Sequence, residues 1–154
     1  MKKLGWLTVI FALTIILSSC GFLPVGEDEY FEKYSKGDPE ITIKQDFDEY
    51  ADGALYDFGY VMSDDYVTFT IYNEGEGNLE LTGSPVIRVE GTHASTYIVD
   101  NYPETTIGPG ESSDFVIMFD YMMSYEYKYA DIIIENNDPD EEDYLISLEG
   151  RDGM

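Results

Sequence analysis

The chain has 154 residues, enough for one domain of ordinary size, and its hydrophobic content of 44% suffices for a core. With 32 acidic and 8 basic residues the formal net charge is −24, so nucleic acid and anionic lipid head groups will repel the protein. The single cysteine, Cys20, excludes an intrachain disulfide, and the fold must hold by packing and strand pairing.

Residues 1–19 have the three-part organisation of a secretory signal peptide. Two lysines supply a positive start, Leu7 to Leu17 is an uncharged apolar run, and two serines follow. The apolar run is too short for a membrane-spanning helix, which needs about 20 apolar residues. We therefore predict a signal helix in front of the mature protein.

The end of this leader, Leu17-Ser18-Ser19-Cys20-Gly21, resembles the bacterial lipobox. The resemblance implies cleavage before Cys20 and attachment of acyl chains such as palmitate, which makes a membrane the partner of the chain through this lipid. Each buried methylene contributes about 0.8 kcal/mol, so two or three acyl chains anchor stably where one does not. Because glycine and not aspartate follows Cys20, the inner-membrane retention signal is missing there. We predict a place in the cell envelope, at an outer membrane or cell surface rather than in the cytoplasm.

Residues 20–38 are predicted to form a lipidated N-terminus and an acidic linker, and residues 39–154 the folded domain. The start of the linker contains Gly and Pro and has no strand pattern. Within it, Glu27–Lys36 has acids first and lysines last, which is typical of a short helix. In either conformation the linker can hold an acidic domain off a membrane surface.

The clearest β pattern lies in Asp57–Thr82. The alternating apolar residues are Val67, Phe69 and Ile71 on a first strand and Leu79 and Leu81 on a second. Successive side chains of a strand point to opposite faces, so each strand has one apolar face. The stretch 73–78 between them contains asparagines and glycines, which tolerate positive φ and favour a turn.

Further short runs with strand character are Glu40–Lys44, Leu55–Val61, Pro85–Glu90, Thr96–Asp100, Thr105–Ile107, Asp114–Asp120, Tyr127–Glu135 and Tyr144–Glu149. Pro85 favours an edge strand or a strand start, because proline cannot donate a hydrogen bond. About seven to nine short strands separated by turn residues predict an all-β domain, an antiparallel sandwich or barrel.

Four motifs of this segment occur in a recognisable order. They are Asp57-Phe58-Gly59 with Val67–Asn73, Gly75, Asn78 and Leu79; Ile107–Glu111 with Asp114–Phe119; Ala130–Pro139; and Tyr144–Gly150. Together they resemble the Hydin and abnormal-spindle type of immunoglobulin-like domain, which bacterial choice-of-anchor D proteins also carry. The resemblance covers about Asp38–Gly150 and implies a single immunoglobulin-like β-sandwich of seven strands. Many relatives have tandem copies of the domain, whereas this chain has one.

The stretch Asn136–Asp143 contains five acids in one predicted loop. Clustered oxygens suit hard cations such as calcium, although the spacing does not match an EF-hand. The first interpretation is a solvated turn without a cofactor. The alternative is a weak calcium site, with candidate ligands Asn136, Asp138, Asp140, Glu141 and Asp143.

The sequence has no catalytic signature that points to a reaction. His93 is the only histidine and is predicted to lie in a loop, so a zinc site is not expected. Ser112 and Ser113 lie outside any G-x-S-x-G motif. We predict no catalytic residue and no enzyme, with a carboxylate-based hydrolase as the lesser alternative.

A non-catalytic binding, adhesion or structural module is the function that these features favour. The 14 tyrosines suit binding surfaces, and the ligand would be a protein or a glycan but not a nucleic acid. The alternative is a passive acidic envelope spacer without a specific ligand. An exposed tyrosine-rich patch would favour binding, and a uniformly charged surface would favour the spacer.

Overall fold

The alternating patterns of the sequence become strands with one buried and one exposed face. The computed structural model describes residues 37–153. The strands are β1 (Ile41–Gln45), β2 (Asp48–Glu49), β3 (Ala54–Val61), β4 (Asp65–Asn73), β5 (Leu79–Glu80), β6 (Arg88–Glu90), β7 (Tyr97–Asn101), β8 (Thr106–Ile107), β9 (Ser112–Phe119), β10 (Tyr127–Glu135) and β11 (Asp143–Asp152). A 3-10 turn, Ala94–Thr96, precedes β7. Within these residues no helix is long and apolar enough to cross a membrane.

Three sequence predictions concern residues outside the described part of the chain. They are the signal segment 1–19, the lipidated Cys20 and the short helix at Glu27–Lys36. They remain predictions.

The first sheet has five strands in the order β2, β1, β4, β9 and β7, and every neighbouring pair is antiparallel. Its centre is β4, which pairs with β1 on one side and β9 on the other. Val67, Phe69 and Ile71 on this strand are at most 3% exposed, so the predicted apolar face is confirmed. In the register of the sheet, Phe69 lies directly opposite Phe115.

The second sheet has four strands in the order β3, β11, β10 and β6. The β10–β11 hairpin is antiparallel, and β6 pairs with β10 at the edge of the sheet. The edge position predicted for Pro85–Glu90 is confirmed, but the strand is shorter than predicted and begins at Arg88, after Pro85. The pair β3–β11 is parallel, so the sandwich is not antiparallel throughout as predicted. Alternation shows which face of a strand is apolar but not which strand becomes its partner, and β3 and β11 are far apart in the chain.

The second strand predicted within Asp57–Thr82 is shorter than expected. Only Leu79–Glu80 forms a strand, β5, which pairs with β8 in a separate two-stranded sheet. Leu81 continues as a single bridge to Asn136, and both leucines are buried as predicted.

Aromatic rings connect the two sheets across the core. Phe69 of β4 stacks on Phe115, with 5.3 Å between ring centroids, and meets the edge of Tyr56 from β3 at the same distance. Phe58 of β3 packs 5.6 Å from Phe119 at the end of β9. These contacts add to the aliphatic burial that holds two sheets face to face.

Gly75 and Gly77 were expected to permit positive φ, and the structure shows a different reason for them. Neither has a positive φ. A Cβ on Gly75 would lie 2.4 Å from the carbonyl oxygen of Asp38, and one on Gly77 would lie 1.9 Å from that of Gly37. Glycine is required at both positions because the incoming backbone crosses the turn at van der Waals distance.

Phe69→Ala should destabilise the domain by about 3–5 kcal/mol, because it empties the centre of the aromatic core. Thr70→Ala is the matched control: the Thr70 hydroxyl donates an exposed hydrogen bond of 2.7 Å to Asp114, worth about 0.5–1.5 kcal/mol. The free energies of unfolding come from urea denaturation. Equal losses for the two variants would contradict the assignment of the faces.

Candidate functional site

The sandwich has two distinct ends. The entrance pole, where the chain enters at Gly37, includes Glu40, Asn73 and Asp138, since β1 begins opposite the end of β4. The Met–Tyr pole, at the other end of β4, consists of Met62, Tyr66, Met122, Met123 and Tyr125. The nine residues of β4, at about 3.3 Å each, put roughly 30 Å between the two ends.

Asn73 organises the entrance pole with a buried side-chain amide. Its Oδ1 accepts hydrogen bonds from the backbone N–H groups of Glu40 (3.3 Å) and Gly75 (3.1 Å), and its Nδ2 donates to the carbonyls of Gly77 (2.7 Å) and Ile107 (2.9 Å). All four hydrogen-bonding positions of the amide are therefore satisfied. This residue holds the incoming chain, the turn after β4 and the β8 strand together.

Asp138 has a similar role in the acidic loop. Its side chain is almost fully buried, and its Oδ2 accepts a 2.8 Å hydrogen bond from the backbone N–H of Ile41 at the start of β1. Its Oδ1 accepts from the backbone N–H of Asp140, and its own N–H donates to Oδ1 of Asn136. The loop is thus a hydrogen-bonded structure that fastens the first strand, not only a solvated turn.

Three carboxylates meet at this loop. One oxygen each of Glu40, Asp138 and Glu141 lies within 4.8 Å of the others, a spacing that would suit a hard cation. Oε2 of Glu141 is buried without a hydrogen-bond partner among the described residues. Burial, with repulsion from Asp138, raises the pKa of both Glu40 and Glu141 above the ordinary value.

The structure therefore brings together only part of the predicted calcium set. Asp138 and Glu141 belong to the cluster. Asn136 instead turns its amide to the carbonyls of Ile134 and Glu141, and Asp140 and Asp143 are exposed outside it. Glu40, which the sequence analysis missed, enters because Asp138 bonds the neighbouring Ile41, 97 residues away in the chain. The only sequence signal near Glu40 is the alternation of Ile41 and Ile43, which places Glu40 at the start of a strand.

Asp152, at the end of β11, organises the Met–Tyr pole. Its fully buried carboxylate accepts hydrogen bonds from the backbone N–H groups of Met122 (3.3 Å), Ser124 (3.1 Å) and Glu126 (3.4 Å), and from the Ser124 hydroxyl (2.8 Å). Burial alone would raise the pKa of Asp152, but these hydrogen bonds hold it below its usual value. The loop 120–126 therefore folds around the ionised carboxylate of Asp152.

The same loop is strained and tied to its neighbours. Met123 and Tyr125 have φ values of 53° and 60°, a left-handed conformation that costs free energy in residues other than glycine. The backbone N–H of Tyr121 donates a 3.1 Å hydrogen bond to Asp64 in the turn after β3. These contacts hold the backbone that carries the methionines and the tyrosine in one arrangement.

The large exposed hydrophobic side chains concentrate at this end of the described domain. Eight of the twelve lie at the pole or next to it: Tyr60, Met62, Tyr66, Ile98, Met122, Met123, Tyr125 and Tyr127. Met62 is 68% exposed and Met122 63%. On the outer face of the five-stranded sheet, Tyr66, Met118 and Ile98 form one cross-strand row that extends the pole. The surface is therefore not uniformly charged.

A row of tyrosines continues from the pole onto the outer face of the four-stranded sheet. The Arg151 guanidinium lies between the rings of Tyr60 and Tyr127, 5.5 and 5.2 Å from their centroids. Beside Tyr129 lies a groove of about 260 Å³, whose lining includes Leu55, Asp131 and Ser147. Asp131 is the only acid that lines this groove, and it accepts a hydrogen bond from Ser147.

His93 lies in a turn before the 3-10 turn, which confirms its prediction as a loop residue. Its ring Nδ1 accepts a 3.1 Å hydrogen bond from the backbone N–H of Tyr129, and the backbone N–H of His93 donates to the Tyr129 carbonyl. It extends the pairing of β10 and does not belong to the acidic cluster.

No protein-family model and no curated protein matches this sequence. A protein of unknown function from Porphyromonas gingivalis W83 superimposes with a TM-score of 0.59 at 20% identity, over 76% of this chain and 48% of that one. The secreted serine protease VesC from Vibrio cholerae gives a TM-score of 0.52 at 14% identity, over 81% and 25%. The ASH/PapD-like domain 7 of human CEP192 gives 0.49 at 12% identity, over 89% and 97%.

The chain thus spans about half the length of the Porphyromonas protein and a quarter of VesC. At identities of 20% and below, the two superpositions above 0.5 show a shared fold and nothing about function. With the two packed sheets, they agree with the predicted fold: the domain is an immunoglobulin-like β-sandwich.

The raised pKa of Glu141 gives a prediction for stability against pH. The folded state holds this proton more tightly than the unfolded state, so the free energy of unfolding should fall as the pH rises from about 4.5 through the raised pKa. Without divalent cations, Glu141→Gln should therefore melt higher than the wild type at pH 7, and its advantage should shrink towards pH 4.5.

Glu142→Gln is the matched control, because Glu142 is exposed and outside the cluster. It removes the same charge from the same loop. An equal effect of the two substitutions would show that general charge, and not the cluster, sets the pH dependence.

Proposed function

We propose that this chain is a lipid-anchored, non-catalytic binding module of a bacterial cell envelope, and that it presents the Met–Tyr pole to its partner. The observation that carries the proposal is the position of the pole. The chain enters the domain at Gly37, at the opposite end of the sandwich. If the membrane anchor is at Cys20, the exposed methionines and tyrosines lie at the end of the domain opposite to the chain entry that leads to the anchor.

The anchor rests on the lipobox-like Leu17–Cys20 behind a charged and apolar leader. An acidic body cannot bind an anionic surface by charge, so the acyl chains on Cys20 would be its means of membrane attachment. Gly21 favours an outer membrane or cell surface. The proposed partner is then a protein or a glycan outside that membrane.

We also infer kinship with the choice-of-anchor D type of domain. Its motif residues have structural roles in this fold. Asn73 accepts a hydrogen bond from the backbone N–H of Glu40, and Asp138 accepts one from the backbone N–H of Ile41 at the start of β1. Phe58 and Gly150 meet in the core, where a Cβ on the glycine would lie 3.0 Å from Phe58 Cβ and 2.7 Å from the Phe119 ring. The motifs thus specify packing and leave the binding surface to other residues.

A binding module fits this surface better than the two alternatives. A passive spacer does not require exposed apolar side chains at one pole. Monomeric proteins rarely expose large contiguous apolar patches unless the patch binds a partner. A carboxylate-based hydrolase needs two acids across a cleft. The groove beside Tyr129 does not supply such a pair, because the one acid in its lining, Asp131, is already bonded to Ser147.

A second candidate function is cation binding at the entrance pole. It is favoured by the Glu40, Asp138 and Glu141 cluster and by the unsatisfied Oε2 of Glu141. Three carboxylate oxygens at this spacing suit calcium better than magnesium, which demands a stricter octahedral geometry. Burial raises the pKa of Glu40 and Glu141 most, and a bound ion would neutralise the repulsion from Asp138 that adds to it.

Cys20→Ser should abolish membrane anchoring, because it removes the thiol that accepts the lipid. The wild type should float with membranes, enter a detergent phase and incorporate labelled fatty acid. The variant should accumulate as precursor or be released without lipid. Mass spectrometry of the mature N-terminus gives the direct readout, and a free Cys20 or a chain that starts elsewhere would end the lipoprotein proposal.

Calcium should raise the melting temperature of the wild type more than sodium chloride of equal ionic strength, by the mass action of binding to the folded state. Glu141→Gln should lose this excess and Glu142→Gln should keep it, because only Glu141 belongs to the cluster. The absence of a calcium excess in the wild type would remove the cation proposal and leave the anchor and the pole untouched.

A further inference from the structure

The charges around the Met–Tyr pole point to the chemistry of its partner. Asp64 and Asp65 are exposed in and after the turn that carries Met62, and Glu126 is exposed beside Tyr125, with 71% of its side chain accessible. The apolar side chains of the pole are therefore bordered by carboxylates.

Basic side chains do little to offset these acids. The basic residues of the described domain are Lys44, Arg88, Lys128 and Arg151. Within residues 37–153, the first three form ion pairs with Glu74, with Glu90 and Glu135, and with Glu126. Arg151 is the exception and packs between two tyrosine rings. The carboxylates Asp64 and Asp65 at the pole have no cationic partner among the described residues.

Arg151 also shows what the tyrosines of this end can bind. Its guanidinium lies 5.5 and 5.2 Å from the ring centroids of Tyr60 and Tyr127, within the range of a cation–π contact. Tyr66 and Tyr125 are about half exposed at the same end and have no ring contact or cation–π contact among those the structure shows. They present similar faces to an outside cation.

Charge also excludes other occupants of the pole. A second copy of this chain would bring another net charge of −24 to the interface, and like charges across an interface disfavour association. Anionic lipid and nucleic acid are repelled for the same reason. A neutral ligand would exclude water from the bordering carboxylates without supplying a positive charge to balance them.

We propose that the Met–Tyr pole binds a cationic, amphipathic segment of another protein, with its apolar side chains against the methionines and its Lys or Arg side chains on the tyrosines and the bordering carboxylates. The inference rests on the proposed function and names the partner class of the same surface. Methionine suits this role because its flexible side chain adapts to different apolar partners. The acidic domain would also attract such a segment over a distance, so that association is fast and salt-dependent.

The test uses the full chain in phosphatidylcholine vesicles and three synthetic peptides. The peptides share the same leucine and tyrosine positions and carry Lys, Gln or Glu at all the others. Binding is measured by fluorescence anisotropy, with protein-free vesicles as the blank. We expect the Lys peptide to bind, with an affinity that falls as sodium chloride is added.

Matched variants locate the binding surface. Met62→Ser with Met122→Ser should weaken binding of the Lys peptide by about tenfold or more, since truncated anchors at an interface centre carry much of its affinity. Phe47→Ser with Tyr102→Ser removes comparable exposed hydrophobic side chains outside the pole and should leave binding unchanged. Asp65→Asn should weaken binding of the Lys peptide, whereas Asp48→Asn, at an exposed position on β2, should not. Thermal melts confirm that each variant is folded.

Each other outcome overturns the inference in a distinguishable way. If the Gln or Glu peptide binds as well as the Lys peptide and the pole variant weakens it, the pole is a docking surface but not for a cationic partner, and the proposed function stands. If the two double variants weaken Lys binding equally, or if neither weakens it, binding does not depend on the pole and the pole is not the site. If no peptide binds in a pole-dependent manner, the inference of a cationic segment as partner fails, while the lipid anchor of the proposed function is judged separately by Cys20→Ser.

Discussion

The packing of Phe69 between the two sheets is the interaction on which the domain depends. Without a disulfide, a chain of net charge −24 must offset its own repulsion by packing and hydrogen bonding. Phe69 meets Phe115 on its own sheet and Tyr56 on the opposite one, so a single ring joins both layers. The surrounding β4, β9 and β11 strands contribute side chains that are almost completely buried. Most of the acids can then crowd the surface, and the two buried ones, Asp138 and Asp152, accept hydrogen bonds from backbone N–H groups.

Buried polar side chains fix the two ends of this sandwich in different ways. At the entrance pole, Asn73 and Asp138 bond backbone groups of chain segments that are distant in sequence, which fastens the first strand. At the Met–Tyr pole, Asp152 gathers the backbone N–H groups of one loop and holds it in a strained conformation. A satisfied buried polar group is costly to disrupt, so both ends are well defined.

The two ends therefore suit different tasks. The entrance pole concentrates carboxylates around Glu40 and Glu141, where a cation would relieve repulsion close to the linker. The Met–Tyr pole presents adaptable methionines and tyrosine faces on a braced loop, bordered by Asp64 and Asp65. The proposed anchor at one end and the proposed docking surface at the other are the organisation expected of a displayed binding module.

The amino-acid sequence by itself determined which face of the central strands is apolar and buried, because the period-two alternation around Phe69 is a local property of the chain. It also identified the acidic loop and the glycines of the turn after β4. Only the tertiary structure decided that β3 runs parallel to β11, that Glu40 joins Asp138 and Glu141, and that the methionines gather at one end. These depend on contacts between segments far apart in the chain, and alternation carries no information about which strands become neighbours.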